Sequence, residues 1–314
     1  MAIASYIKEI GRGKEGARSL SEAQAHDLMS QVLDGQVSDL ELGAFALAMR
    51  IKGESVPELA GFLAAAHERC IRIAPVTPTV VLPSYNGARK LPNLTALLAL
   101  LLTQEGVQVL VHGPMHDAGR VSTAEIFRDL GLPIASNADE IDNGWARREP
   151  VFIRTEDLCP PLARLLDVRR VVGLRNSGHT VAKLLAPCAA LRVVNHTHPE
   201  YAALLTEFLT HTRADAMLMR GTEGEPVADP RRLPKLDVFI AGQRRADLSR
   251  PAHEGVLTGL PLLPRSIDAA TTALYIQSVV SGEKPAPAPL TQQVECLRQA
   301  LAVIHQPQAK EQVA

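Results

Sequence analysis

Residues 79–113 read TVVLPSYNGARKLPNLTALLALLLTQEGVQVLVHG. The run Thr79 to Leu82 has the composition of a buried strand, and Pro83, which lacks a backbone donor, ends it. Asn86-Gly87 carries turn chemistry inside the loop that follows. Asn93 or Thr95 can cap an apolar helix that ends near Thr103, and Val107 to Val111 reads as a second strand leading into His112-Gly113. Strand, loop, helix and strand in that order predict a parallel sheet built by crossovers. The pattern continues downstream with a helix from Ser122 to Gly131 and with strands at Leu191–Val194 and Ala216–Met219. A helix from Pro199 lies between those two strands.

Upstream the period changes. Residues 1–70 read as helical. Ser21 precedes a run in which Leu28, Val32 and Leu33 share a helical face. Ser38 followed by Glu41 has the spacing of a capping box, in which each side chain satisfies the other residue's backbone donor. The helix it opens, through Arg50, is apolar almost all round and is expected to be buried. Ser55 or Glu54 starts another helix with Pro57 in its first turn. Residues 160–185 are helical again, with a break from Gly173 to Gly178. Residues 221–265 are loop-rich and proline-rich. A helix from Ser266 to Ser281 and a last helix to about His305 follow, with a proline-rich link at 285–289 between them.

The 314 residues are 46% hydrophobic, enough for one large domain or two modest ones, and only 4% aromatic. The formal charge of −1 excludes a globally basic nucleic-acid binder, so any such role must rest on a local patch. Cys70, Cys159, Cys188 and Cys296 form no CxxC motif and are expected to be the reduced thiols of a cytoplasmic protein. The N-terminus carries no cleavage signature and reads as no signal peptide. No apolar run is long enough to span a bilayer, so no membrane partner is expected.

The stretch from Leu28 to Glu54 resembles the N-terminal helical domain of glycosyltransferase family 3, which includes the anthranilate phosphoribosyltransferases. The likeness runs in order along nearly the whole chain. The segments Pro83–Lys90, Gly173–Thr180, His198–Tyr201 and Gly221–Glu225 resemble most closely the YbiB branch of that family, described as nucleic-acid-binding and homodimeric. The resemblance implies an α/β protein of the nucleoside phosphorylase and phosphoribosyltransferase type. It would have a small all-helical domain (1–70, with 158–187 returning to it) and a larger domain (75–157 and 188–314) around a central, mostly parallel sheet. It also implies a homodimer formed through the helical domain.

A phosphoribosyltransferase must hold a diphosphate, and glycine-rich loops do so with bare backbone N–H groups, often at a helix N-terminus. Where the family has Gly-Thr-Gly-Gly-Asp, this chain has Pro83-Ser84-Tyr85-Asn86-Gly87. The family's Lys-His-Gly-Asn is Val111-His112-Gly113-Pro114. Its magnesium-holding Asp-Glu pair aligns with Pro226-Val227, which offer no oxygen ligands, although Glu223, Glu225 and Asp229 lie nearby. Arg175 in Gly173-Leu174-Arg175 matches the family arginine that faces an aromatic carboxylate, and its planar cation suits carboxylate or phosphate equally. No catalytic residue, metal site or cofactor is therefore assigned. His196-Thr-His198 lacks a third converging ligand and is read as a helix start.

Charge patterning supplies a different candidate. No acid occurs from Ile71 to Gln104, and Asp167 is the one acid from Leu158 to Pro199, against Arg164, Arg169, Arg170, Arg175, Lys183 and Arg192. The resemblance brings the 86–90 loop and the 169–183 segment to one interdomain cleft. The expected site is thus a groove for a nucleic-acid phosphate backbone lined by Tyr85, Asn86, Gly87, Arg89, Lys90, Arg169, Arg170, Arg175, His179 and Lys183. Tyr85 would stack on a base. Two blander readings stand beside it. Tyr85 can plug a vacated pocket, and Arg147-Arg148, Arg231-Arg232 and Arg244-Arg245 can serve as solvated faces or acid partners. The alternative function is a glycosyl- or phosphoribosyltransferase with an unidentified acceptor.

Overall fold

The computed structural model describes residues 3–13, 15–75, 77–255, 257 and 259–305. Helices α1 (Ala4–Ile10), α2 (Glu22–Leu33), α3 (Asp39–Lys52) and α4 (Val56–His67) come first. Ser21, Ser38 and Ser55 open the last three, each with the reciprocal capping-box pair. Helix α4 lies against α2 so closely that a Cβ on Gly61 would stand 2.3 Å from the Glu22 carbonyl oxygen, which restricts that position to glycine.

The chain then enters an eight-stranded sheet. In chain order come β1 (Thr79–Pro83), α5 (Thr95–Gln104), β2 (Gln108–Gly113), α6 (Thr123–Leu130), β3 (Ile134–Ala135), α7 (Ala138–Ala146) and β4 (Val151–Arg154). Four helices follow: α8 (Thr155–Leu158), α9 (Pro160–Asp167), α10 (Arg169–Val172) and α11 (Ser177–Leu184). Then come β5 (Leu191–His196), α12 (Tyr201–His211), β6 (Ala216–Arg220), β7 (Leu236–Ile240), β8 (Gln243–Arg244), α13 (Ala269–Val280) and α14 (Ala288–Ile304). The strand order is β3-β4-β2-β1-β5-β6-β7-β8. Pairs among the first six positions are parallel, and β7 and β8 join antiparallel.

Alternation along each strand sorts the core into two layers. Val81, Leu110, Ile153, Val194 and Leu218 point to one face and share a buried cluster with α2, α4, α9, α11 and α12. Val80, Leu82, Val109, Val111, Val193 and Met217 point to the other, against α5, α6, α13 and α14. Helices α9 and α11 pack on the α2–α4 pair, so the later helical segment returns to the first one.

The expected fold class holds: a small helical unit and a larger α/β unit with a mostly parallel sheet. Two details differ from the sequence reading. Helix α3 is not buried all round, because Leu40, Leu47 and Ile51 are exposed. The stretch read as loop-rich contains β7, whose Asp237 interrupts its apolar run and pairs with Lys235 and Arg244.

Candidate functional site

In a parallel sheet the loops leaving the carboxyl ends of the strands converge along one edge, which is where such folds bind ligands. Here the segment after β1 (84–91) meets the turn after β6 (221–225). The β1 loop bends through Gly87 at φ +67°, where a Cβ would lie 2.9 Å from the Val121 carbonyl oxygen. The β6 turn bends through Gly224 at φ +90°, where a Cβ would collide with the Asn86 amide.

Two carboxylates from the turn fill the loop's donors. Glu225 is 1% exposed. Its Oε1 accepts from the Asn86 and Gly87 backbone N–H groups, each at 2.7 Å. Its Oε2 accepts from the Ser84 hydroxyl and, at longer range, from the hydroxyls of Thr95 (3.4 Å) and Thr123 (3.5 Å). Thr95 is the first residue of α5, so the carboxylate also lies where a helix dipole favours negative charge. Glu223 Oε2 accepts from the backbone N–H groups of Arg89 (2.8 Å), Lys90 (3.0 Å) and Leu91 (3.3 Å). Burial works to raise its carboxyl, but these three donors outweigh it and hold Glu223 below the usual carboxylate range. Sequence reasoning places both carboxylates near the site but does not recognise them as loop partners. They lie about 130–140 positions from the donors they satisfy, and no local pattern announces them.

Tyr85 does not present its ring. It is 7% exposed. Its hydroxyl lies 2.9 Å from His112 Nδ1 and accepts from the Thr155 hydroxyl at 3.2 Å. Because His112 Nε2 lies 3.1 Å from the Leu185 carbonyl oxygen and donates to it, Nδ1 is the acceptor for the Tyr85 hydroxyl. Burial raises the Tyr85 hydroxyl's pKa and lowers that of His112 to about 4, so both are neutral near pH 7. The stacking role expected of Tyr85 is therefore corrected to a plug in the loop's base.

The cationic residues divide between two clefts. Arg175, His179 and Lys183 line a cleft of about 390 Å³ together with Arg50, Glu54 and Asn195. Lys90 lines a second, of about 600 Å³, with Glu223, Arg220 and Arg232. Asn86 joins them: its Oδ1 accepts from Arg175 Nη1 at 2.9 Å and its Nδ2 donates to the Glu223 carbonyl oxygen at 3.0 Å. Burial and the neighbouring Arg169, Arg120 and Arg50 lower the Arg175 pKa. Burial, followed by Arg175, brings Lys183 down to about 8.

His179 supplies no positive charge, since burial with Arg175 and Arg169 nearby lowers it to about 4. It instead helps cap α11 with Asn176. Arg170 is exposed and pairs with Asp167 at 3.2 Å, and Arg169 stands 3.9 Å from Asp117. Among the described residues, Arg50, Arg89, Lys90, Arg120, Arg175 and Lys183 form no ion pair. By contrast Arg147, Arg231, Arg244 and Arg245 hold nearby acids, which is the blander reading of those doublets. Sequence reasoning also missed Arg50, Arg120 and Asn195. Asn195 is 4% exposed at the cleft wall, and neither of its side-chain polar atoms has a partner among the described residues.

A diphosphate with magnesium does not fit this arrangement. The backbone donors that would cradle phosphate are occupied, Pro226 and Val227 offer no side-chain oxygen, and Asp229 is held by Arg231. Among the described residues no three His, Cys, Asp or Glu side chains converge on a point.

The architecture is that of a phosphoribosyltransferase-like protein, with a helical unit set against one face of a mostly parallel sheet. Residues 4–70 match the helical bundle domain of the glycosyl transferase family. The chain is 40% identical over 296 residues to the uncharacterized protein YbiB of Escherichia coli K12, covering 92% of this chain and 91% of that one. It is 26% identical over 310 residues to anthranilate phosphoribosyltransferase of Synechococcus sp. JA-2-3B'a(2-13), covering 91% and 84%. The crystal structure of anthranilate phosphoribosyltransferase from Thermus thermophilus superposes with a TM-score of 0.67 at 20% identity over 95% of this chain and 94% of that one. The Saccharomyces cerevisiae enzyme in complex with PRPP and Mg gives 0.64 at 13% identity over 96% and 94%, and both structures speak to the fold alone. The chain belongs to the glycosyltransferase family 3, anthranilate phosphoribosyltransferase-like family. Among the described residues no helix is long and apolar enough to cross a membrane.

Proposed function

We propose that this chain binds nucleic acid as a homodimer and holds the phosphate backbone across the two clefts that Asn86 joins, through Arg89, Lys90, Arg169, Arg175 and Lys183. One contrast carries the reading. The backbone donors that would take a diphosphate are filled by Glu223 and Glu225, whereas Arg89, Lys90, Arg175 and Lys183 around them have no carboxylate partner among the described residues. Cations spaced along a wall suit the spaced charges of a polynucleotide. They suit the compact geometry of a sugar diphosphate poorly once the loop amides are occupied. Arg170, exposed and loosely paired, and Arg120 extend the positive field.

The dimer rests on the exposed apolar side chains of α3. Leu47 and Ile51, with Ile7, Ala44 and Ala48, line a shallow apolar groove on the helical unit. Contiguous exposed apolar surface of this kind marks an association face.

Titration of the purified protein with single- and double-stranded DNA and RNA oligonucleotides at low and physiological salt tests the proposal. Binding at low salt that weakens at physiological salt, and weakens further in Arg169→Glu with Arg170→Glu, is expected. Absence of binding at low salt removes it. Magnesium-dependent binding of phosphoribosyl pyrophosphate in calorimetry would favour the transferase alternative instead.

A further inference from the structure

Two of the points at which the chain crosses between the helical unit and the sheet are neighbours. The chain leaves α4 for β1 and returns from β4 through α8 into α9. These crossings are joined by a backbone hydrogen bond, the Ile71 N–H donating to the Leu158 carbonyl oxygen at 2.9 Å. Each crossing carries a cysteine beside that bond. Cys70 Sγ lies 3.3 Å and Cys159 Sγ 3.7 Å from the same acceptor, the Ala66 carbonyl oxygen, so both thiols stand beside one carbonyl. Cys70 is partly exposed and Cys159 is fully buried. The remaining thiols, Cys188 and Cys296, make no such pair among the described residues.

We propose that Cys70 and Cys159 are an oxidisable pair, converted to a disulfide by a hydroperoxide, that fastens the two crossings to each other. Cys70, the partly exposed residue of the pair, attacks the peroxide. A sulfur–oxygen bond forms as the oxygen–oxygen bond breaks, and the thiol proton leaves with the departing oxygen as alcohol, or as water if the oxidant is hydrogen peroxide. The sulfur of Cys159 then attacks the sulfenic sulfur. The disulfide forms, the sulfur–oxygen bond breaks, and hydroxide departs as water with the Cys159 proton. Two electrons pass from sulfur to peroxide, and two thiols are lost. The link closes a long chain loop, which restricts the unfolded chain most. It also fixes the helical unit against the sheet where these two crossings meet.

The test treats the reduced full chain with hydrogen peroxide near stoichiometry and then maps its peptides without reductant. Expected are one cross-linked peptide joining positions 70 and 159, two remaining free thiols out of four, and a melting temperature higher by about 5 °C. Dithiothreitol should reverse all three. Cys159→Ser should stop Cys70 at a sulfenic acid that dimedone captures, and Cys188→Ser with Cys296→Ser should form the link at the native rate. Four free thiols after peroxide, a link through Cys188 or Cys296, or Cys70 carried to sulfinic acid without a link would each overturn the proposal.

Discussion

The loop after β1 and the segment from α10 to α11 meet at the bond between Asn86 and Arg175, yet their charges are satisfied in opposite ways. In the loop, every backbone donor from Asn86 to Leu91 that the fold aims at the site, Ala88 aside, ends on a carboxylate of the same chain. Across from it, Arg175 bonds a neutral amide and Lys183 has no hydrogen-bond partner among the described residues. Carboxylates thus occupy the loop's donors, while the cations around them have no carboxylate partner among the described residues. The first region is a closed structural network, and in the second Arg175 and Lys183 have no carboxylate partner among the described residues.

The largest effect should come from breaking the closed region. Glu225→Ala leaves the Asn86 and Gly87 amides buried without an acceptor, and should lower stability by about 3 kcal/mol in urea denaturation. If the variant is as stable as the native chain, Glu225 does not hold the loop. Next, reversing charge in the open region with Arg175→Glu and Lys183→Glu should weaken oligonucleotide binding at least about tenfold at low salt. That change is expected to leave the loop intact, so equal affinity would place the groove elsewhere.

The third prediction concerns pH. Burial lowers His67, His112 and His179 from an ordinary value near 6.5 to about 4, with Arg192 adding to the shift of His67 and Arg175 to that of His179. Between those values the unfolded chain binds more protons than the folded one. Stability is therefore expected to be full above pH 6.5 and to fall as pH drops toward 4, read as a declining melting temperature. Lys183 acts on binding in the other direction. Its pKa near 8 means that oligonucleotide affinity should decline between about pH 7 and pH 9, an effect absent in Lys183→Met. The smallest effect belongs to Tyr85→Phe. It removes the hydroxyl between His112 and Thr155 and should lower stability by about 1 kcal/mol while leaving nucleic-acid affinity unchanged. A loss of affinity in that variant would mean that the Tyr85 hydroxyl serves binding as well as packing.

Much of the scaffold was legible because local chemistry dictates it. Ser21, Ser38, Ser55 and Ser122 each stand three residues before a Gln or Glu that completes the cap. The β1–α5–β2 unit follows from an apolar run, a turn and a second run. Strand β4, four residues long, and the β7–β8 ribbon have too few alternating positions to separate from loop. Helix α3 reads as buried because periodicity reports apolar content and cannot report what covers it.

At the site, the acid-poor composition of 71–104 and 158–199 located the cationic residues and their separation from Asp and Glu in sequence. It could not show where acids arriving from elsewhere in the chain would sit, which is how the role of Glu223 and Glu225 escaped notice. Nor can a sequence distinguish an aromatic ring offered to a base from one sealed under a loop, and Tyr85 is the second kind.

The most direct test is the salt dependence of oligonucleotide affinity in the native chain, Arg175→Ala and Glu225→Gln. The expected result is a linear fall of log affinity with log salt in the native chain, a slope shallower by about 1 in Arg175→Ala, and an unaltered slope in Glu225→Gln. A native slope near zero, or one that changes with Glu225 and not with Arg175, would contradict the division into a neutralised loop and an open cationic wall.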